Sequence, residues 1–125
     1  MAASFAEPPV TDLVRVDVVA QGRTVRVITA GEVDSSSAPV LESHLAGVFE
    51  ESLDELVVDL CGVTFLDSAG LCVLAAAHRR AGEKRVTMRV LASSRAVVRP
   101  LQITGLWQLL GAEHVESTSV DQSVA

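Results

Sequence analysis

The chain has 125 residues and a mass of 13.2 kDa, the size of one ordinary domain. Ten Lys and Arg stand against 16 Asp and Glu, a formal net charge of −6, which argues against the basic face that a nucleic acid or an anionic membrane would need. Hydrophobic residues at 49% exclude disorder over the whole length, and aromatics at 3% leave little to stack on bases or sugars.

No apolar run reaches the ~18 residues of a membrane span, and the start, Met1 to Glu7, has neither a basic nor an apolar stretch of the signal-peptide kind. Cys61 and Cys72 do not form a C-x-x-C pair and are expected to be reduced core thiols, with the cytosol as the setting. Residues 1–11, with Pro8-Pro9, read as a flexible leader, and 117–125 as a flexible tail, leaving one domain over 12–116. The 21 valines point to a sheet, because β-branched side chains fit a pleated surface.

Val14, Val16 and Val18 alternate with Arg15 and Asp17, and Val25 and Val27 with Thr24 and Arg26. Gln21-Gly22 between them predicts a β-hairpin whose second strand ends in Gly31-Glu32-Val33-Asp34. Ser35 to Pro39 supply an N-cap and a first-turn proline, and Ala38, Leu41, Leu45 and Val48 then carry a helix to about Glu51. Leu56 to Cys61 reads as an interior strand covered on both faces, followed by a loop over 62–67. A second helix runs from Ser68 to about Ala81, with Leu71, Leu74, Ala75 and His78 on one stripe and Gly82 at its C′ position. Val86, Met88 and Val90 mark another strand. Ser93-Ser94 cap a third helix that Pro100 kinks or shortens. Leu106 to Leu110 form a last packing segment, with a short strand near Val115. The order β-β-α-β-α-β-α, with right-handed crossovers, predicts an α/β fold: a small mixed sheet of about four or five strands with packed helices.

Chemistry concentrates in Val63-Thr64-Phe65-Leu66-Asp67-Ser68-Ala69-Gly70-Leu71, between an interior strand and a helix, where parallel α/β sheets gather their sites. Two readings stand on the residues alone. Ser68 is an N-cap and Gly70 only gives close packing, or Ser68 presents its hydroxyl outward as an acceptor of modification. A phosphoryl group at a helix N-terminus is tolerated by the macrodipole, adds roughly −1.5 to −2 charge, and makes a doubly anionic patch with Asp67. Phe65 and Leu66 are expected to pack on the sheet. A serine hydrolase lacks its G-x-S-x-G elbow here, and His44, His78 and His114 are scattered, with His78 too far along the Ser68 helix to act as its base. No metal spacing and no glycine-rich phosphate loop occurs, so neither metal nor cofactor is expected.

Asp67-Ser68-Ala69-Gly70-Leu71, preceded by Val57-Val58-Asp59-Leu60 and Phe65-Leu66, resembles the signature of STAS domains, in particular the bacterial anti-sigma factor antagonists. Gly31-Glu32-Val33-Asp34 is similar to that family's Gly-x-apolar-Asp element, and Leu101 to Leu106 to its last helix and glycine turn, so the resemblance spans about residues 13–112. It implies a cytoplasmic, non-enzymatic partner-switching protein that binds an anti-sigma serine kinase and frees a sigma factor. Phosphorylation of Ser68 would break that complex, and a phosphatase would reset it. It further implies partner contacts at Asp34, Asp67, Ser68, Ala69 and Gly70. Ala69 departs from the Ser or Thr that many antagonists carry after the acceptor. A STAS adaptor or scaffold subunit without a phosphoswitch is the alternative.

Overall fold

The computed structural model describes residues 12–116, so the expected leader and tail lie outside the described residues. The elements are β1 (Val14–Gln21), β2 (Thr24–Val33), α1 (Ala38–Phe49), β3 (Glu55–Leu66), α2 (Ser68–Glu83), β4 (Thr87–Ala92), α3 (Arg95–Ile103), α4 (Leu106–Leu109) and β5 (Glu113–His114). They form one five-stranded sheet in the order β1-β2-β3-β4-β5, with β1 antiparallel to β2 and the other pairs parallel. This is the mixed α/β sheet, opening on a hairpin, that the sequence predicts.

Gln21 opposite Thr24 closes a two-residue hairpin loop, and Gly22 within it takes φ +63°, a conformation with no steric cost for glycine. Gly31 takes φ +103°, and a side chain there would run into the Leu13 carbonyl oxygen. That glycine lets the chain entering β1 lie against the end of β2, where the Glu32 amide donates to the Leu13 carbonyl at 2.8 Å.

One face of the sheet carries the core. Val27, Val58 and Val90, paired across β2, β3 and β4, are fully buried with Leu41 and Leu45 of α1, Leu74 of α2, and Val97 and Leu101 of α3. Each such side chain contributes roughly 1.5–3 kcal/mol by leaving water. The Arg80 guanidinium lies 5.4 Å over the ring of buried Phe49, joining α2 to the end of α1. The opposite face was expected to be covered, and among the described residues no helix covers it. There Arg26 and Arg89 flank Val57 in the register, and Leu91 neighbours Asp59. Val57 and Leu91 are nonetheless buried, beneath a layer of ion pairs: Arg26–Asp59 at 2.8 Å, Arg89–Glu113 at 3.1 Å and Arg89–Glu55 at 3.7 Å. Long guanidinium stems cover apolar surface while their heads stay in water.

Other expectations need correction. Of the expected loop 62–67, residues 62–66 are the continuation of β3. Its register against β2 shifts twice, between Ile28 and Ala30 and between Gly31 and Glu32, which breaks the two-residue alternation. The buried stripe of α2 is Gly70, Leu74, Ala77 and Ala81, rotated from the expected one. Gly82 lies inside that helix, and its terminus is a Schellman motif (Val86 amide to Ala81 carbonyl at 2.8 Å, Arg85 amide to Gly82 carbonyl at 3.2 Å) with Arg85, at φ +59°, in the glycine position. Ser37 and Ser94 stand at the N-cap positions of α1 and α3, as expected, but neither side chain bonds a first-turn amide. Ser37 donates to the Glu32 carbonyl at 2.6 Å, while Ser93 and Ser94 reach the Cys61 and Val63 carbonyls at 3.3 and 3.1 Å. Pro100 sits within α3, which ends three residues later at Ile103. Neither thiol is in the core: Cys61 is partly buried and Cys72 is exposed.

Candidate functional site

β2 and β3 end side by side. Val33 pairs with Leu66, and the Asp67 amide donates to the Val33 carbonyl at 3.2 Å. Asp34 and Asp67 therefore leave from neighbouring strand ends, at the carboxyl edge of two parallel strands.

Asp67 has extended backbone (φ −108°, ψ −168°) and is the N-cap of α2. Its Oδ1 accepts from the Ala69 amide at 2.9 Å and the Gly70 amide at 3.3 Å. Ser68 is the first helical residue, not the cap, which overturns the capping reading of that serine. It is exposed, and its hydroxyl makes no hydrogen bond among the described residues. Ala69 packs partly against the core, and Gly70 is buried. A Cβ on Gly70 would meet Leu66 Cδ1 and, at 2.9 Å, Val33 Cγ1. The missing side chain seats the first turn of α2 directly on the ends of both strands and sets how far Ser68 projects.

Asp34 is held from its own loop. Its Oδ1 accepts from the Ser36 hydroxyl at 2.7 Å, the Ser36 amide at 2.8 Å and the Ser37 amide at 3.1 Å. The Ser36 hydroxyl and amide, with Ser37 adding to them, hold its carboxyl below the usual aspartate value despite a small opposing effect of burial. The structure thus brings Asp34, Asp67, Ser68, Ala69 and Gly70 to one edge, with Asp34 and Asp67 also organising the loops that follow them.

Beside this edge runs an open groove of about 640 Å³ between α1 and α2, lined among others by Ser35, Pro39, Ala69, Cys72, Ala76 and Arg79. No motif in the sequence points to its α1 wall. Phe65 corrects a further expectation: it is 48% exposed, whereas Val63 and Leu66 are buried. The second register shift places Val63 opposite Gly31 and Phe65 opposite Glu32, so Thr64 is skipped and Phe65 turns outward. His78 lies ten residues beyond Ser68 on α2, about 15 Å along the axis, and the His44 ring sits 2.8 Å from the Val40 carbonyl. Among the described residues no helix is long and apolar enough to cross a membrane.

The family model for the STAS domain matches residues 15–121. The chain is 36% identical over 89 residues to the anti-sigma-F factor antagonist RsfB of Mycobacterium tuberculosis, covering 70% of this chain and 72% of that protein. It is 31% identical over 97 residues to the anti-sigma-B factor antagonist of Bacillus subtilis, covering 78% and 88%. The crystal structure of an anti-sigma factor antagonist from Mycobacterium paratuberculosis matches with a TM-score of 0.76 at 31% identity, over 89% of this chain and 93% of that one. The chain belongs to the STAS domain family and is similar to its bacterial anti-sigma factor antagonists.

Proposed function

We propose that this protein is an anti-sigma factor antagonist whose docking is gated by the charge on Ser68. Unphosphorylated, it binds an anti-sigma factor that is also a serine kinase, and a sigma factor is released. The kinase passes the γ-phosphoryl group of ATP to Ser68 Oγ; the hydroxyl proton goes to a base on the kinase, and ADP leaves. A phosphatase returns the serine by adding water across the ester bond, releasing inorganic phosphate. The relatives named above support the partner class, and the cytoplasm is the setting this role requires.

One observation carries the gate. Ser68 is exposed and its hydroxyl is unengaged, while Asp67 already occupies the amides of Ala69 and Gly70. A phosphate on Ser68 finds those donors taken. Its roughly −1.5 to −2 charge stays directed at solvent, beside two carboxylates. Burying that charge unpaired under a partner costs several kcal/mol, of order 3, which weakens a complex by about two decades.

The test is incubation with the candidate kinase and ATP, followed by mass spectrometry and peptide mapping. A gain of one phosphate on the parent, absent from Ser68→Ala, is expected. In pull-downs Ser68→Ala holds the kinase persistently and Ser68→Asp holds it weakly. No gain, or a gain that survives Ser68→Ala, refutes the gate and leaves the constitutive adaptor.

A further inference from the structure

β1 is an edge strand of the sheet that the described residues form. Gln21 and Thr24 close a two-residue loop, so odd-numbered β1 residues direct their backbone N–H and C=O groups toward β2; the Glu32 bond to the Leu13 carbonyl fits this parity. Val14, Val16, Val18 and Ala20 therefore direct theirs outward, where no strand of the described residues meets them. Protein edges are ordinarily blunted by Pro, Lys or a bulge. β1 contains neither Pro nor Lys and pairs with β2 without a register shift. It also leaves Val18 45% and Val19 50% exposed.

We propose that this edge pairs antiparallel with β1 of a second copy, about a twofold axis at Val16. The charges select this register. An axis at Arg15 sets that residue against the partner's Arg15, and an axis at Asp17 opposes two aspartates. An axis at Val18 leaves Arg15 facing the partner's Gln21 and Asp17 facing the partner's Val19. An axis at Val14 sets Arg15 against the partner's Leu13. Only at Val16, among axes on Val14 to Val18, does Arg15 meet the partner's Asp17 while Asp17 meets the partner's Arg15.

That register is stereochemically sound. Val16 and the partner's Val16 both turn their amides outward and exchange two backbone bonds, and Val14 does the same with the partner's Val18. The Arg15–Asp17 contacts then fall at non-hydrogen-bonded positions, where cross-strand side chains approach closest and opposite charges stabilise the pair. Within one strand these residues already sit 3.7 Å apart, with side chains 80% and 60% exposed, so little is lost when each turns to the other copy. The interface is isologous and closed. The twofold reverses the strand direction, so the two Ser68 edges lie at opposite ends of the joined sheet and each stays open to its own partner.

Sedimentation equilibrium of the full chain tests this from about 1 to 100 µM, the upper end of which saturates a micromolar interface. A mass twice the 13.2 kDa of the chain is expected. Arg15→Asp and Asp17→Arg, each alone, set like charges across the seam and weaken the dimer roughly tenfold or more. Mixed in equal amounts they restore complementary pairs, and a heterodimer forms. Val16→Pro removes an outward amide without altering charge or the bonds to β2, and also weakens the dimer. Thermal melts by circular dichroism check that each variant folds. A monomeric parent overturns the proposal, including the case where deleting residues 1–11 releases a dimer, since those residues would then hold the edge. A dimer indifferent to both charge swaps, or folded swaps that fail to recombine, also overturns it.

Discussion

Substituting Gly70 tests whether packing at the strand ends sets the position of Ser68. In Gly70→Ala the new methyl would lie 2.9 Å from Val33 Cγ1 and against Leu66 Cδ1. Val33 is fully buried and Leu66 is 5% exposed, so neither can swing into solvent. Val33 is also β-branched and stiff about χ1. Overpacking of this kind costs about 1–3 kcal/mol, and the better helix propensity of Ala over Gly returns about 1 kcal/mol. The expected net is a loss of up to about 2 kcal/mol, each kcal/mol of which lowers Tm by about 4 °C or more for a domain of this size. Gly47→Ala is the internal control. Gly47 lies in α1, where a Cβ would have no neighbour within 4 Å, so the same chemical change should stabilise by up to about 1 kcal/mol. Urea unfolding, read at constant slope, gives both values. If Gly70→Ala stabilises as much as Gly47→Ala does, the close approach of α2 to the strand ends does not hold the site.

Asp67→Ala removes the only side-chain cap of α2 and should cost about 1 kcal/mol, while Asp67→Asn keeps the cap and should stay within a few tenths; equal losses in urea would mean that charge, not capping, matters to the fold. Arg85 occupies the left-handed position of the Schellman motif, so Arg85→Gly should raise stability by about 0.5–1 kcal/mol in the same assay, and a loss would contradict the assignment. Burial pulls the pKa of Asp59 upward, but the Arg26 guanidinium and the Cys61 amide outweigh it and hold the carboxyl below the usual aspartate value. A lowered folded pKa contributes stability that is complete above the unfolded value of about 4 and is lost as pH falls through the folded one. Asp59→Asn should therefore flatten the acid limb of a Tm-against-pH curve, and superimposable slopes below about pH 4 would remove Arg26–Asp59 as a determinant.

Much of this fold is legible because its signals are local. Val25 and Val27 alternate on a strand that has one wet face, Gln21-Gly22 marks the hairpin, and Leu41, Leu45 and Val48 repeat at the helical period. What escapes the sequence depends on partners distant in the chain. Gly62 to Leu66 looks like a loop because two register shifts against β2 scramble the alternation, and with it the outward turn of Phe65. Val57 reads as doubly buried, yet arginines from β2 and β4, not a helix, cover its outer face. The serines before α1 and α3 have capping chemistry, but nearby carbonyls of Glu32, Cys61 and Val63 compete for their hydroxyls and win. At the site, Asp67-Ser68 gives two candidate caps one residue apart. Only the strand-end bond from Asp67 to Val33, which puts that residue in extended geometry, decides between them.

That one-residue distinction governs what a charge at this edge can do. Were Ser68 the cap, its oxygen would point into the first turn, and phosphorylation would act on the helix itself through the amides and the macrodipole. With Asp67 as cap, the carboxylate takes the Ala69 and Gly70 amides, and Asp34 is likewise held by Ser36 and Ser37. Both anions are fixed by backbone donors of their own loops, so the negative background of the edge is built into the fold. Ser68 adds a group there whose charge can be changed without breaking a hydrogen bond among the described residues. A phosphate placed on it would therefore alter docking far more than folding, which is the property a reversible gate on partner binding requires.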